Sequence, residues 1–171
     1  PVDPALVCTL AGHESQLATL AQLFAGRTLH VRAAEAGGGL RGAVLLLPAR
    51  MTAGPDTAAN HELYVLRVVI DGTRARLGAT PPVGDRLLDE LRALSEAARA
   101  VALLREDFSG FVRRLDAARP WVLAARPNVA LSARAQALET LRLRVLDGGA
   151  IGDPEAEWER LSALDDSGPG S

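Results

Sequence analysis

"LLLPARMTAGPDTAANHELYVLRVVIDG" (residues 45–72) decides how the chain is read. An apolar run stops at Pro48, and a short polar loop comes after it. Asp56 then stands where its carboxylate can accept from the free amides of a first helical turn. Ala59, Leu63, Leu66 and Ile70 fall at i, i+4, i+7 and i+11, one face of an α-helix that Gly72 is expected to stop. A strand leading into a helix that carries His-Glu is also the layout of a zinc peptidase. That chemistry needs a second imidazole one turn on, and His61 is followed four positions later by Val65. "GHESQ" (12–16) offers the same pair at His13-Glu14, with Leu17 in the ligand position. His30 is the third and last histidine. No metal site or catalytic residue is expected, and His61 and Glu62 are expected to face outward.

Upstream, Leu17, Leu20 and Phe24 give a helical stripe over 13–25, with Gly26 as its stop. Leu29, Val31 and Ala33 alternate with polar residues, Gly37 to Gly39 allow a reversal, and Ala43 to Leu47 run apolar. This predicts a β-hairpin near 28–48 whose second strand is the more buried. Downstream, "ATPPVGD" (79–85) is a connector, because consecutive prolines remove donors and fix φ. A broad apolar band, Leu87 to Leu104, predicts a long helix over 85–105. Ser109 is read as the cap of a short helix through Ala118, with Pro120 and Pro127 limiting the next segment to one or two turns. Ser132 opens a helix through Leu146, and Asp153-Pro154-Glu155 opens the last, with Trp158, Leu161 and Leu164 as its stripe. The expected fold is mainly α (α+β): about six helices with one β-hairpin packed on them. Residues 1–149 form a single mostly helical domain, 150–164 a C-terminal helix, and 165–171 a flexible linker.

Composition excludes several classes. All 19 basic residues are arginine, and the net charge is −2. From Asp147 onward there are seven acids and one arginine, so the body is mildly basic and the tail acidic. Nucleic-acid binding calls for a basic stripe with aromatic platforms; here arginines alternate with acids and aromatics are 4% of the chain. No apolar run approaches the ~20 residues of a membrane span. The chain begins at "PVDPAL" with no signal-like segment, and Cys8 is its single cysteine, so a soluble, cytoplasmic protein without cofactors is expected. Cys8 reads as a small buried side chain. "AGGGLRG" (36–42) lacks the lysine and the following helix of a phosphate loop. The acidic pairs Asp89-Glu90, Glu106-Asp107 and Asp165-Asp166 read as solvated charges, since adjacent carboxylates on a helix diverge.

The opening stretch resembles a block of the accessory proteins that carry a von Willebrand factor A domain and work with MoxR-type AAA+ ATPases. Members include the Rubisco activase adaptor CbbO and the nitric oxide reductase activation protein NorD. The positions that carry the resemblance are Leu45 to Pro48, Pro55-Asp56, Asn60, Leu63 and Tyr64. A second block, Arg126-Pro127, Leu138-Glu139, Leu141-Arg142 and Gly148, is similar to a later segment of the same family. The family's Asp-x-Ser-x-Ser metal motif is absent from this sequence, so the resemblance is to its N-terminal domain alone. It implies a non-catalytic adaptor whose partners are a MoxR-type AAA+ ATPase and a target complex. It also implies that Leu63 and Tyr64 pack the helix onto the hairpin while Asn60 bonds in the first turn. Two alternatives remain: a degenerate zinc hydrolase built on His61 and Glu62, and a helical oligomerisation module presenting Trp121, with Trp158 packing its own helix onto the body.

Overall fold

Asp56 starts the helix around which the chain is organised. In the computed structural model, which describes residues 6–34, 38–126 and 131–164, its carboxylate accepts from the Ala59 amide at 2.8 Å. The elements run β1 (Cys8–Thr9), α1 (Glu14–Ala25), β2 (His30–Ala34), β3 (Gly39–Arg41), β4 (Val44–Pro48), β5 (Arg50–Met51), α2 (Thr57–Arg76), α3 (Arg86–Asp107), α4 (Ser109–Ala124), α5 (Ala133–Leu146) and α6 (Pro154–Ser162). The protein is mainly α with a minor β part. Among the described residues, no helix is long and apolar enough to cross a membrane.

Helix α2 is sheathed nearly all round. Tyr64 and Val68 face one buried cluster with Leu17, Leu29, Leu45 and Leu47, contributed by α1 and the sheet. Leu63, Leu66 and Val69 face a second cluster with Leu104 and Phe111, from α3 and α4. A third cluster lies apart from α2 and joins Leu91 to Leu141, Val145 and Leu161, so α3 meets α5 and α6 there. Each fully buried large side chain contributes about 1.5–3 kcal/mol.

Several expectations need correction. The hairpin over 28–48 is a three-stranded mixed sheet of order β2-β4-β3. β2 runs parallel to β4, His30 opposite Val44, and β3 lies on the other edge, antiparallel, with Arg41 opposite Val44. The reversal falls at Gly42-Ala43, where Gly42 has φ 59°, the glycine-first placement of a type II′ turn. Gly37 lies outside the described residues. β4 is central, and Leu45 and Leu47 are fully buried as expected, whereas Ala33 near the end of the edge strand β2 is exposed.

Gly72 does not stop α2, which continues to Arg76. A Cβ there would stand 2.8 Å from the Ala21 carbonyl oxygen and 3.0 Å from Phe24 Cβ, so the glycine lets α1 and α2 approach closely. Helix α4 passes through Pro120 to Ala124, and its N-cap is Phe108, not Ser109. An interior proline costs roughly 3 kcal/mol in isolation. Here Pro120 is on the exposed side, while Ala118, Trp121 and Val122 pack into the second cluster and carry the helix onward. Trp121 is thereby half-buried rather than presented to solvent. Pro127 and residues 165–171 lie outside the described residues.

The glycine contact is directly testable. Gly72→Ala is expected to destabilise by about 1–3 kcal/mol through overpacking against a backbone carbonyl, in spite of alanine's better helix propensity. Gly110→Ala, in α4 with nothing within 4 Å of the added carbon, is expected to be neutral or stabilising by up to about 1 kcal/mol. Denaturant unfolding of the two variants measures both.

Candidate functional site

The residues of the opening stretch converge on the start of α2. Asn60 is fully buried, and its Nδ2 donates to the carbonyls of Leu6 at 2.7 Å, Asp56 at 2.9 Å and Gly54 at 3.3 Å. Its Oδ1 accepts from the Gly54 amide at 2.7 Å. This is more than the first-turn bond expected: one carboxamide fixes the loop before the helix and ties down a residue 54 positions upstream. One turn on, the buried Tyr64 hydroxyl donates to the Pro48 carbonyl at 2.6 Å, clamping α2 to the end of β4. Desolvation, and secondarily the nearby Cys8, push the Tyr64 phenol up to about 12. Cys8 is itself buried and its thiol is raised by desolvation, the opposite of an activated thiolate.

His61 and Glu62 sit beside this latch. Two nitrogen donors of Arg114 reach the two Glu62 oxygens at 2.6 Å, so that carboxylate is committed to tying α2 to α4. The His61 ring lies against His13, with ring centroids 4.9 Å apart and planes tilted by 60°. His30 is on the exposed side of β2. Among the described residues no three histidine, cysteine or acidic side chains come together as metal ligands.

Most acids on the helices are engaged rather than merely solvated. Asp71 is buried and accepts from Arg74 at 2.6 Å and Arg67 at 3.1 Å; Arg74 also reaches Glu96 at 2.8 Å. Burial would lower the Arg74 guanidinium, but Asp71 and Glu96 outweigh it and hold it above the usual arginine value. A cleft of about 280 Å³ opens here, lined by Arg74, Thr80, Arg92, Glu96, Arg99 and Glu155. Arg92 bonds Glu155 across it, so it is a seam closed by opposite charges between α2, α3 and α6. Asp89 accepts from the Val83 and Gly84 amides, and Glu90 pairs with Arg142. In the second resemblance block Arg126 and Arg142 both grip Glu139. Burial works against that carboxylate, yet the two guanidinium groups prevail and hold it below its ordinary range. Sequence reasoning missed the links from Arg74 to Glu96, Arg92 to Glu155, Arg126 to Glu139 and Arg142 to Glu90, because their partners lie on different elements.

Among the described residues Leu23 is the most exposed large apolar side chain. Leu23 is 75% exposed on α1, and beside it Phe24 meets the half-exposed Phe108 edge to face, centroids 5.6 Å apart. Trp158 packs inward, as expected, and its indole nitrogen donates to Asp85 at 3.1 Å.

Asn60→Ala leaves buried backbone groups of Leu6, Gly54 and Asp56 unpaired and is expected to cost about 3 kcal/mol in denaturant unfolding. Tyr64 gives a pH signature. Its folded pKa lies above the unfolded value, so its contribution is complete below about pH 10 and is lost as pH rises towards 12. Tyr64 is the only tyrosine, so tyrosinate absorbance is expected to rise late, near pH 12, in the native protein and near 10 once unfolded. In Tyr64→Phe that signal vanishes and the alkaline loss of stability is reduced.

Compared with protein-family models, curated proteins and solved structures, the chain matches none of them.

Proposed function

We propose that this chain is a non-catalytic adaptor domain that couples a MoxR-type AAA+ ATPase to the activation or remodelling of a target enzyme complex, of the kind that activates Rubisco or nitric oxide reductase. The observation that carries the reading is where the resembling residues sit. Pro48, Asp56, Asn60 and Tyr64 belong to the latch at the start of α2, while Leu63, expected to pack on the sheet with Tyr64, turns instead to the cluster with α3 and α4. Arg126, Glu139 and Arg142 form one ion-pair chain that reaches Glu90 on α3. Most of the described residues that carry the resemblance thus hold this domain in shape.

On this reading ATP hydrolysis belongs to the partner ring, and this chain supplies surface in the cytoplasm beside it. The exposed Leu23 supports a binding role, because an apolar side chain 75% open to water on α1 is available to a partner. The test is co-purification of the domain with a MoxR-type AAA+ ATPase from the same source, with and without ATP. A stable complex is expected, and Leu23→Asp is expected to weaken it at least tenfold while the fold is unchanged. No complex, together with undiminished target activation after deletion of the domain, would sink the proposal.

A further inference from the structure

Two of the three histidines meet in space although they stand on different helices. His13 occupies the N-cap position of α1 but its side chain makes no capping bond. His61 lies in the second turn of α2, directly after the latch residue Asn60. Both rings are half-buried, and neither has a hydrogen-bond partner for its ring nitrogens among the described residues. Four imidazole nitrogens are therefore uncommitted at one place on the surface.

The separation suits a shared ligand. Two imidazoles on one tetrahedral ion, with metal–nitrogen bonds of about 2.1 Å, put their ring centres roughly 5 Å apart; here the distance is 4.9 Å. The 60° tilt matters as well. Parallel stacked rings send their lone pairs past each other, whereas tilted rings can aim them at a common point.

We propose that His13 and His61 form a two-imidazole site for a divalent transition metal, preferring Ni²⁺, Cu²⁺ or Zn²⁺ over Mg²⁺ or Ca²⁺, with water completing the coordination shell. This goes beyond the adaptor reading and does not depend on it. A bound ion staples the start of α1 to α2 close to the point where Asn60 holds the Leu6 carbonyl, and it stabilises the folded chain by mass action. The role is structural: Glu62, the only acid adjacent to His61 in sequence, is already held by Arg114.

The experiment uses the chain without a histidine tag, stripped of metal and titrated with Ni²⁺ and Zn²⁺ by calorimetry and by thermal unfolding. One ion per chain and a rise in Tm are expected. His13→Gln and His61→Gln are each expected to weaken binding by about a hundredfold, the advantage of two ligands held at one point, and to abolish the Tm rise. His30→Gln keeps both. Cu²⁺ bound to the unaltered chain should show hyperfine structure from two nitrogen donors, a reading independent of any variant's folding. Absence of binding, binding retained when His13→Gln and His61→Gln are combined, or a spectrum with a single nitrogen donor overturns the site.

Discussion

A carboxamide sealed from water has two hydrogens and one oxygen to satisfy, and Asn60 satisfies all of them with backbone from three separate places. An isolated buried amide costs several kcal/mol, so the bonds are effectively compulsory once the helix forms there. They fix the N-terminal segment, the loop at Gly54 and the first turn of α2 relative to one another. The short pairing of β1 with β5, Cys8 opposite Met51, lies just beyond the Leu6 carbonyl that Asn60 holds. Tyr64 repeats the logic one turn later with the end of β4. Between them the two side chains determine how the sheet and α1 lie on α2.

With α2 anchored at its start, the rest is a matter of which side each neighbour takes. α1 and the sheet fill one flank and α3 with α4 the other, and Gly72 allows α1 to come within backbone distance. Charge then closes the seams that apolar packing leaves. Because every cation is arginine, the pairs are frequently forked, as between Arg114 and Glu62, and such geometry fixes orientation better than a lysine point charge.

Helices are legible because their signals are local. Asp56, Asp85, Ser132 and Asp153 each accept from an amide of the first turn, as their positions in the sequence imply. Strand order is not, since nothing local says that β2 pairs parallel to β4 across an intervening strand. Gly72 defeats a local reading because the same residue serves to end a helix or to let another one close in. Pro120 does so because burial of Ala118 and Trp121 overrides a local penalty. At the candidate site, Val65 stands where a peptidase motif needs its second imidazole. "GHESQ" and "NHELY" are both visible, but only the packing of α1 on α2 brings their histidines together.

Helix α3 is divided along its length: Leu104 belongs with α2 and α4, while Leu91 belongs with α5 and α6. The distal three-helix corner thus shares one rod with the remainder and little apolar surface besides. Among the described residues, ion pairs of Arg119 with Asp147 and of Arg126 with Glu139 make the remaining link between the α4 side and α5. The acid-rich helix α6 is therefore carried by α3, and whatever shifts the far end of that rod shifts α6 with it.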